Sequence, residues 1–273
     1  MIDKLKGKNI IITGASSGIG EALAIACAKI GANIAIAARS HDKLEALKSS
    51  LSSYAVKIIT IPTDVTSESQ CKNLIVTAKR ELGSIDVLIN NAGISMRAPF
   101  DEVETKVLRE IMDVNLWGAA YCSQAAIPYL LETKGSLVAV SSVTGFKGLP
   151  GRTGYAASKF AMNGLFESIR MEYMSRGLHT LIACPGFTAS NIRFNARKAD
   201  GTAQADTPGD ESKMDTAESV ALDILQAIRD RKDFMLTNKQ GKAIYWMNKF
   251  FPRFTERRIH KVIAAEPNSP IKK

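Results

Sequence analysis

The chain of 273 residues, 45% of them hydrophobic, is long enough for one large α/β domain or two small ones. Its net charge of +9 lies mostly at the end, since residues 239–273 hold nine Lys/Arg and two Asp/Glu, and a basic tail without a recognition motif argues against nucleic-acid binding. The four cysteines include no C-x-x-C pair, the three histidines are isolated, and no signal-like or membrane-spanning apolar run occurs, so we expect a cytoplasmic protein with no metal site and no disulfides.

A glycine-rich turn follows the first predicted strand. Residues 8–13 form a short β-branched run, the sequence GASSGIG comes next, and a segment with helical periodicity follows it. Gly14, Gly18 and Gly20 permit a sharp turn, let backbone amides approach a phosphate and allow the helix to pack on the strand. The same spacing also occurs in ordinary loops, but its position between a strand and a helix favours a dinucleotide-binding site.

The second predicted strand, residues 33–38, ends at Arg39 and Ser40. In NAD-binding folds an acidic residue near this point accepts hydrogen bonds from the ribose, whereas an arginine pairs with a 2′-phosphate. No carboxylate occupies residues 37–40, so the pattern predicts NADP(H) as the cofactor. The alternative is that Arg39 is a solvated loop cation.

The next two predicted strands end in residues that suit other parts of a dinucleotide. Residues 56–61 end at a proline, which is typical of an edge strand, and they place Asp64 and Val65 where adenine would lie. Asp64 could instead cap the following helix. Residues 85–89 are nearly all apolar, as expected of a strand buried on both faces, and the Asn-Asn-Ala-Gly at 90–93 is either a ribose-binding segment or a plain turn.

One long helix is predicted over residues 102–132, with Asn115 inside the apolar segment VNLWGAAY. Asparagine is mildly unfavourable in a helix, and one surrounded by apolar residues needs hydrogen-bond partners. Asn115 is therefore either a structural hydrogen-bonding residue or part of a proton path.

A serine, a tyrosine and a lysine lie within residues 141–159. Tyr155 and Lys159 project from the same face of a helix, so we expect the ammonium to lower the pKa of the phenol toward the range of a general acid or base. Ser142 follows a predicted strand at 136–140, where its hydroxyl would hydrogen-bond a carbonyl oxygen that Tyr155 protonates. Each motif alone is often only a turn or a helix surface, so the interpretation requires a cofactor site elsewhere.

Strands and helices keep alternating up to a helix at 216–229 and a strand at 234–236. This alternation predicts an α/β fold with a parallel sheet covered on both faces. The polar segment 188–215 is predicted to be a substrate lid that is poorly ordered without cofactor. We therefore predict a single domain over residues 1–238 and a basic amphipathic extension over residues 239–273.

The extension places aromatic and basic residues together in 243–254, and Pro252 should end or bend a helix there. Such a segment is typical of peripheral contact with an anionic membrane. More often such a segment packs on its own domain or on a sister subunit.

Taken together, the motifs resemble the short-chain dehydrogenase/reductase family over about residues 7–237. The resemblance rests on TGASSGIG at 13–20, NNAG at 90–93, Asn115, Ser142, YAASK at 155–159 and the Pro-Gly at 185–186. It implies a three-layer doubly wound Rossmann fold with a seven-stranded parallel sheet. It also implies an NADP(H)-dependent oxidoreductase that interconverts a ketone or aldehyde and an alcohol, assembled as a homodimer or homotetramer.

The resemblance further implies roles for single residues. Tyr155 would be the general acid/base, Ser142 would orient the carbonyl, Lys159 would hold the nicotinamide ribose and lower the tyrosine pKa, and Asn115 would support a water relay. The implied cofactor-binding residues are Gly14, Ser16, Ser17, Gly18, Ile19, Gly20, Arg39, Ser40, Asp64, Val65, Asn91, Ala92, Gly93, Tyr155, Lys159, Pro185, Gly186 and Thr188.

The extension and the segment ISMRAPF are similar to relatives that reduce hydrophobic ketones, so we predict an apolar or lipid-like substrate. One alternative is a 3-oxoacyl-acyl-carrier-protein reductase, for which Arg176 fits a carrier-docking position but Thr133 replaces a second arginine. Another is a non-catalytic NADP(H)-binding sensor or scaffold, against which the intact set of catalytic residues argues. Candidates for the substrate wall are Met96, Phe146, Leu149 and Phe187.

Overall fold

The computed structural model describes residues 3–190, 192–204, 214–266 and 268–271. The strands are β1 (Asn9–Thr13), β2 (Asn33–Ala38), β3 (Ile58–Pro62), β4 (Val87–Asn90), β5 (Ser136–Val140), β6 (His179–Cys184), β7 (Thr188–Ala189), β8 (Asp215–Thr216) and β9 (Phe234–Leu236). The helices are α1 (Gly18–Lys29), α2 (His41–Ser50), α3 (Glu68–Leu82), α4 (Thr105–Met112), α5 (Gly118–Thr133), α6 (Thr153–Tyr173), α7 (Ala217–Arg229), α8 (Lys239–Phe250) and α9 (Pro252–Ala264). Short 3₁₀ turns cover Asp3–Leu5, Val143–Gly145 and Met174–Arg176.

Seven of these strands form one parallel sheet in the order β3-β2-β1-β4-β5-β6-β9. Strand order reverses between β1 and β4, so the carboxyl ends of these two strands open into the crevice that binds ligands in such sheets. The prediction of a doubly wound, seven-stranded Rossmann fold is confirmed. The third strand is an edge and ends at Pro62, as its sequence indicated.

The sheet is covered on both faces because successive apolar side chains of its buried strands point in opposite directions. In β1, Ile10 packs in a core with Leu23 of α1 and Ile224 of α7. Its neighbour Ile11 packs in a second core with side chains of α3, α5 and α6, among them Phe166. These two cores fix the three layers and hold the strand ends in place below the crevice.

The predicted single helix over residues 102–132 differs in the structure, because a π turn at Asp113–Trp117 joins α4 to α5. Asn115 lies in this turn and is fully buried. A Cβ atom on Gly118, at the start of α5, would lie 2.8 Å from the Val65 side chain, so the helix approaches that loop very closely. π turns of this kind are frequent at functional sites.

The C-terminal extension forms two helices and packs on its own domain. Tyr245 of α8 meets the ring of Phe146 edge-on, with centroids 5.0 Å apart. Pro252 starts α9 instead of only ending the preceding helix, which the sequence analysis did not predict, because proline suits the first position of a helix. Beyond α9, Glu266 forms an ion pair with Arg97 at 2.9 Å. In the described chain, no helix is long and apolar enough to cross a membrane.

Part of the predicted lid lies outside the described residues, namely residues 191 and 205–213. The two described ends of the segment are joined, since Thr188–Ala189 pairs with Asp215–Thr216. Arg197, between them, donates its backbone N–H to the Ser95 carbonyl at 2.8 Å. The role of this segment as a substrate lid stays a prediction.

Candidate active site

The glycine-rich turn between β1 and α1 forms one end of a cleft. Gly14 and Gly18 have φ values of +66° and +58°, which favour glycine. A Cβ atom on Gly14 would lie 2.7 Å from the Cα of Ala92, and one on Gly20 would lie 2.2 Å from the Gly14 carbonyl oxygen. The turn therefore packs tightly against the end of β4 and leaves the N-terminus of α1 open to the cleft.

Hydrogen bonds tie the ends of β1 and β4 together. Asn91 donates its side-chain amide to the Thr13 carbonyl at 3.0 Å and to the Gly14 carbonyl at 3.2 Å. The Thr13 hydroxyl accepts from the backbone N–H groups of Asn91 and Ala92. The predicted ribose-binding segment is thereby held against the glycine turn.

Ser142, Tyr155 and Lys159 all line the same cleft. Ser142 follows β5, and its hydroxyl accepts the backbone N–H of Thr144 at 3.2 Å. Tyr155 and Lys159 lie one turn apart on α6, where Lys159 Nζ is 5.8 Å from the centre of the Tyr155 ring and donates to the Val140 carbonyl at 2.9 Å. The fold thus brings a hydroxyl, a phenol and an amine to the carboxyl ends of β4 and β5.

The expected lowering of the Tyr155 pKa is not found in the structure. Burial raises the pKa of Tyr155, and the neighbouring Ser142 hydroxyl and the charge of Arg152 only partly offset this effect. Burial also lowers the pKa of Lys159 to about 8, so the ammonium is itself poorly stabilised. Tyr155 is consequently a protonated phenol at neutral pH, which suits a group that donates a proton.

Asn115 does not line the cleft but lies directly behind it. Its Oδ1 accepts the backbone N–H of Ile94 at 2.8 Å, and its Nδ2 donates to the Ile94 carbonyl at 3.0 Å and to Ser158 at 2.9 Å. A Cβ atom on Gly93 would lie 3.2 Å from this Oδ1. Asn115 therefore fixes the segment after β4, and its part in a water relay stays a prediction.

The opposite wall of the cleft is the segment after β6. The Pro185 carbonyl accepts the backbone N–H of Val143 at 3.1 Å, and Gly186 donates to the Thr237 hydroxyl at 3.1 Å. A Cβ atom on Gly186 would lie 2.3 Å from Asn238 Nδ2, so a larger residue would displace the Asn238 side chain. This segment is pinned next to Ser142, where the nicotinamide end of a dinucleotide is expected.

The cleft has a volume of about 630 Å³, within the usual range of small-molecule sites. Every predicted cofactor residue except Gly20 lines it, and Leu149 and Phe187 line it as well. Two predicted substrate residues do not belong to this wall. Met96 is fully buried with its sulfur 3.3 Å from the Gly154 nitrogen, and Phe146 is covered by Tyr245 of the extension.

The sequence analysis missed several polar residues of the cleft. Lys43 lies one turn into α2 on the side of Ser40, and Arg152 lies three residues before Tyr155, so helical spacing could have indicated both. Thr63, Ser141 and Thr144, which lie close to predicted strand ends, were missed as well. Further residues come from the irregular segment after β7, where no sequence pattern predicts the direction of the chain. They are Ser190, Ile192, Arg193, Asn195 and Arg197.

The residues present fit a dinucleotide. Within the described chain, the Ser17 side chain makes no capping hydrogen bond to α1, so the first amides of this helix are available to a pyrophosphate. At the carboxyl ends of β2 and β3 the cleft is lined by Ala38, Arg39, Ser40, Asp64 and Val65, where the adenosine part of a dinucleotide is expected. The other end of the cleft is lined by backbone and small side chains of residues 91–93 and 185–186.

These features define a dinucleotide-binding cleft in a Rossmann-type fold, and comparison with known proteins agrees. The profile of the family described as short chain dehydrogenase matches residues 8–201. The chain is 34% identical over 259 residues to dehydrogenase/reductase SDR family protein 7-like of Anopheles gambiae, covering 91% of this chain and 80% of that protein. It is 37% identical over 199 residues to 3-ketodihydrosphingosine reductase of Bos taurus, covering 68% of this chain and 60% of that protein.

Among solved structures, a short chain dehydrogenase/reductase from Burkholderia phymatum in complex with NAD superposes with a TM-score of 0.81. The two chains are 24% identical, and the match covers 93% of this chain and 96% of the other, so this likeness supports the fold. The chain belongs to the short-chain dehydrogenase/reductase family. Members of this family use a nicotinamide cofactor and act on carbonyl or CH–OH groups.

Proposed function

We propose that the protein is an NADP(H)-dependent reductase of a ketone or aldehyde. The observation that carries this proposal is the meeting of Ser142, Tyr155 and Lys159 in one cleft beside the glycine turn. The phenol is buried and protonated at neutral pH, as the proton donor in a carbonyl reduction must be. The experiment that tests the proposal is the Tyr155→Phe substitution described in the Discussion.

In this mechanism the bound nicotinamide supplies the hydride that adds to the carbonyl carbon. Tyr155 donates its phenolic proton to the carbonyl oxygen, so that oxygen ends as a hydroxyl. Ser142 donates a hydrogen bond to the same oxygen and holds the carbonyl in line. Lys159 stabilises the phenolate that remains and would hold the nicotinamide ribose, while Asn115 keeps the backbone of Gly93 and Ile94 in place behind the cleft.

The preference for NADP(H) over NAD(H) is supported by the charges at the end of β2. Arg39 and Lys43 are exposed, line the cleft and flank Ser40, the N-cap of α2. We infer that both cations bind a 2′-phosphate through charge-assisted hydrogen bonds.

We expect Arg39→Ala to lower kcat/KM for NADPH about tenfold while leaving kcat/KM for NADH nearly unchanged. The reason is that Arg39 would contact only the phosphate that the two cofactors do not share. Initial rates with each cofactor measure this, and Lys48→Ala, a change of an exposed lysine at the far end of α2, is the matched control. A wild-type protein that prefers NADH would contradict the assignment.

An apolar, lipid-like carbonyl compound is the substrate that we propose. Ile94, Leu149, Phe187 and Ile192 line the cleft beside Tyr155, and one relative carries the name of a reductase of a keto lipid. Docking of an acyl-carrier protein has less support. Arg176, its candidate contact, lies about 30 Å along α6 from Tyr155 within one chain, by the rise of a helix, and stacks on Tyr173.

We also propose peripheral membrane contact through the surface of α8 and α9, here called the aromatic face and defined by Trp246, Phe250, Phe251 and Phe254. Each of these side chains is more than half exposed. Lys249 lies 5.4 Å from the centre of the Trp246 ring, and further cations follow on α9. An exposed aromatic surface with basic neighbours suits the interface of an anionic bilayer.

We expect replacement of Trp246 and Phe250 by serine to reduce binding to anionic vesicles at least about tenfold, because two large apolar side chains no longer enter the interface. Co-sedimentation with vesicles measures the effect. Replacement of Val76 and Leu222, two comparably exposed apolar side chains on other helices, should change nothing. A wild-type protein that stays in the supernatant would rule out membrane contact.

We also propose that the protein assembles as a homodimer or homotetramer. Trp117 and Phe160 are about half exposed at the π turn and on α6, the helices through which family members commonly associate. If the protein sediments as a monomer at micromolar concentration, the proposed assembly is wrong.

A location in the cytoplasm is supported by the four cysteines, which are buried and form no disulfides, as suits a reducing compartment. Fractionation of cells tests this location.

A further inference from the structure

Four arginines gather at the end of the cleft that holds Tyr155. We call Arg97, Arg152, Arg193 and Arg197 the arginine cluster; Arg152, Arg193 and Arg197 line the cleft itself, and Arg97 lies next to Arg152. Arg197 and Arg97 form ion pairs with carboxylates of the described chain. Arg197 Nε donates to Glu110 at 3.0 Å within a two-pronged ion pair, and Arg97 pairs with Glu266 at 2.9 Å.

Arg152 differs from these two because no carboxylate in the described chain forms an ion pair with it. Its Nη1 donates to the Ser95 hydroxyl at 3.1 Å, which is a neutral partner. Arg193 is 8% exposed, and its Nη1 lies 2.8 Å from the sulfur of Met214. Burial lowers the pKa of Arg152, and the nearby charges of Arg193 and Arg97 lower it further, while Tyr155 and the Glu266 carboxylate partly offset this effect.

A partly buried guanidinium beside other cations is costly unless an anion compensates it, and the nearby Glu266 carboxylate is already in an ion pair with Arg97. The cleft offers space for that anion, because Arg152 lines it together with Tyr155. Arg152 precedes Tyr155 by three residues at the start of α6, so the two side chains lie on the same side of the helix about one turn apart. A molecule whose carbonyl meets Tyr155 would place a neighbouring group at Arg152.

We propose that Arg152 binds a carboxylate on the substrate, so that the enzyme acts on oxo acids whose ketone lies a few bonds from the carboxylate. This inference rests on the proposed reductase function and refines the substrate class. The guanidinium fork matches a carboxylate in two parallel hydrogen bonds. The rest of such a substrate is apolar and lies against Ile94, Leu149, Phe187 and Ile192.

Arg152 also has a second possible effect, since its charge favours the phenolate of Tyr155. Removal of that charge would alter the reduction of every substrate equally. If Arg152 binds the carboxylate, removal of its charge alters only the reduction of the acids. Pairs of substrates that differ in this one charge therefore separate the two roles.

The experiment compares medium-chain oxo acids, with the ketone two to about six bonds from the carboxylate, with their methyl esters. We expect the wild-type enzyme to reduce at least one acid with a kcat/KM about tenfold or more above that of its ester. Arg152→Gln should lower kcat/KM for that acid about 100-fold and change that for the ester no more than about threefold. Arg152→Lys keeps the positive charge but lacks the guanidinium fork, so its kcat/KM for the acid should lie between those of the wild type and Arg152→Gln.

Arg176→Gln is the matched control, since it removes one positive charge from the 3₁₀ turn that follows α6. Equal losses for acid and ester in Arg152→Gln would overturn the proposal, as would a wild-type enzyme without preference for acids. If Arg152→Gln lost as much affinity for NADPH as it loses in kcat/KM for the acid, Arg152 would be a cofactor-binding residue, and the proposal would also be overturned. Reduction of neutral ketones without any preference for acids would overturn this inference and leave the proposed reductase function standing.

Discussion

Tyr155→Phe should lower kcat for carbonyl reduction about 10²–10⁴-fold while leaving cofactor affinity nearly unchanged. The substitution removes only the phenolic oxygen, which is the proton donor in the proposed mechanism. The ring stays in a site that is 8% exposed, so we expect the fold to be retained. Oxidation of NADPH with a panel of aldehydes and ketones measures kcat, and quenching of protein fluorescence measures NADPH binding.

Tyr173→Phe is the control for this experiment. Tyr173 also lies on α6 and loses the same oxygen, but it stacks under Arg176 far from the cleft. If Tyr155→Phe and wild-type protein have equal activity, Tyr155 is not the proton donor and the mechanism is wrong. If both bind NADPH and neither reduces any carbonyl compound, the alternative of a non-catalytic NADP(H)-binding sensor is favoured.

Lys159→Met should abolish most activity and yet stabilise the cofactor-free protein. Burial lowers the pKa of Lys159 from 10.5 to about 8, which corresponds to a cost of roughly 3 kcal/mol for the buried ammonium at neutral pH. Methionine avoids this cost but leaves the Val140 carbonyl without its hydrogen bond, a loss of about 1 kcal/mol. We expect a net gain of about 2 kcal/mol in the free energy of unfolding at pH 7, with kcat reduced about 10²–10³-fold.

The pH dependence of that gain identifies its cause. Below pH 8 the lysine is protonated in both the folded and the unfolded wild-type protein, so the full cost is present. Between pH 8 and 10.5 the folded protein has lost a proton that the unfolded chain still binds, so wild-type stability rises with pH relative to the variant. Urea unfolding at pH 7 and pH 9.5 measures the difference. Lys48→Met, at an exposed position, should show no such trend, and a constant gain for Lys159→Met would contradict the explanation.

The sequence predicted the fold and the places of the principal site residues because both depend on local order along the chain. Strand, glycine turn and helix around Gly14 follow one another directly, and Tyr155 and Lys159 are one helical turn apart. Parallel strands bring their carboxyl ends to one edge of the sheet, so residues such as Asn91 and Ser142 must meet there. These inferences need no knowledge of how distant segments pack.

The properties that the sequence did not predict depend on packing between distant segments. The pKa of Tyr155 is set by burial under several segments, and sequence spacing shows only the nearby lysine. Phe146 was predicted to face a substrate, but it packs against Tyr245. This contact joins residues about a hundred positions apart, so no local pattern indicates it. Arg193 and Arg197 reach the cleft through an irregular segment, whose direction no periodicity indicates.

The π turn between α4 and α5 determines how this part of the chain responds to a change in length. A straight α-helix turns by about 100° per residue, so one extra residue that was carried on into α5 would swing Cys122, Ala126 and Leu130 out of the core that they share with α3. The π turn absorbs the extra residue locally, so α5 keeps its apolar side inward while Asn115 still reaches Ile94 and Ser158. Insertion of one further residue within α5 should therefore damage the core, whereas deletion of one residue from Asp113–Trp117 should leave α5 in place and displace Asn115.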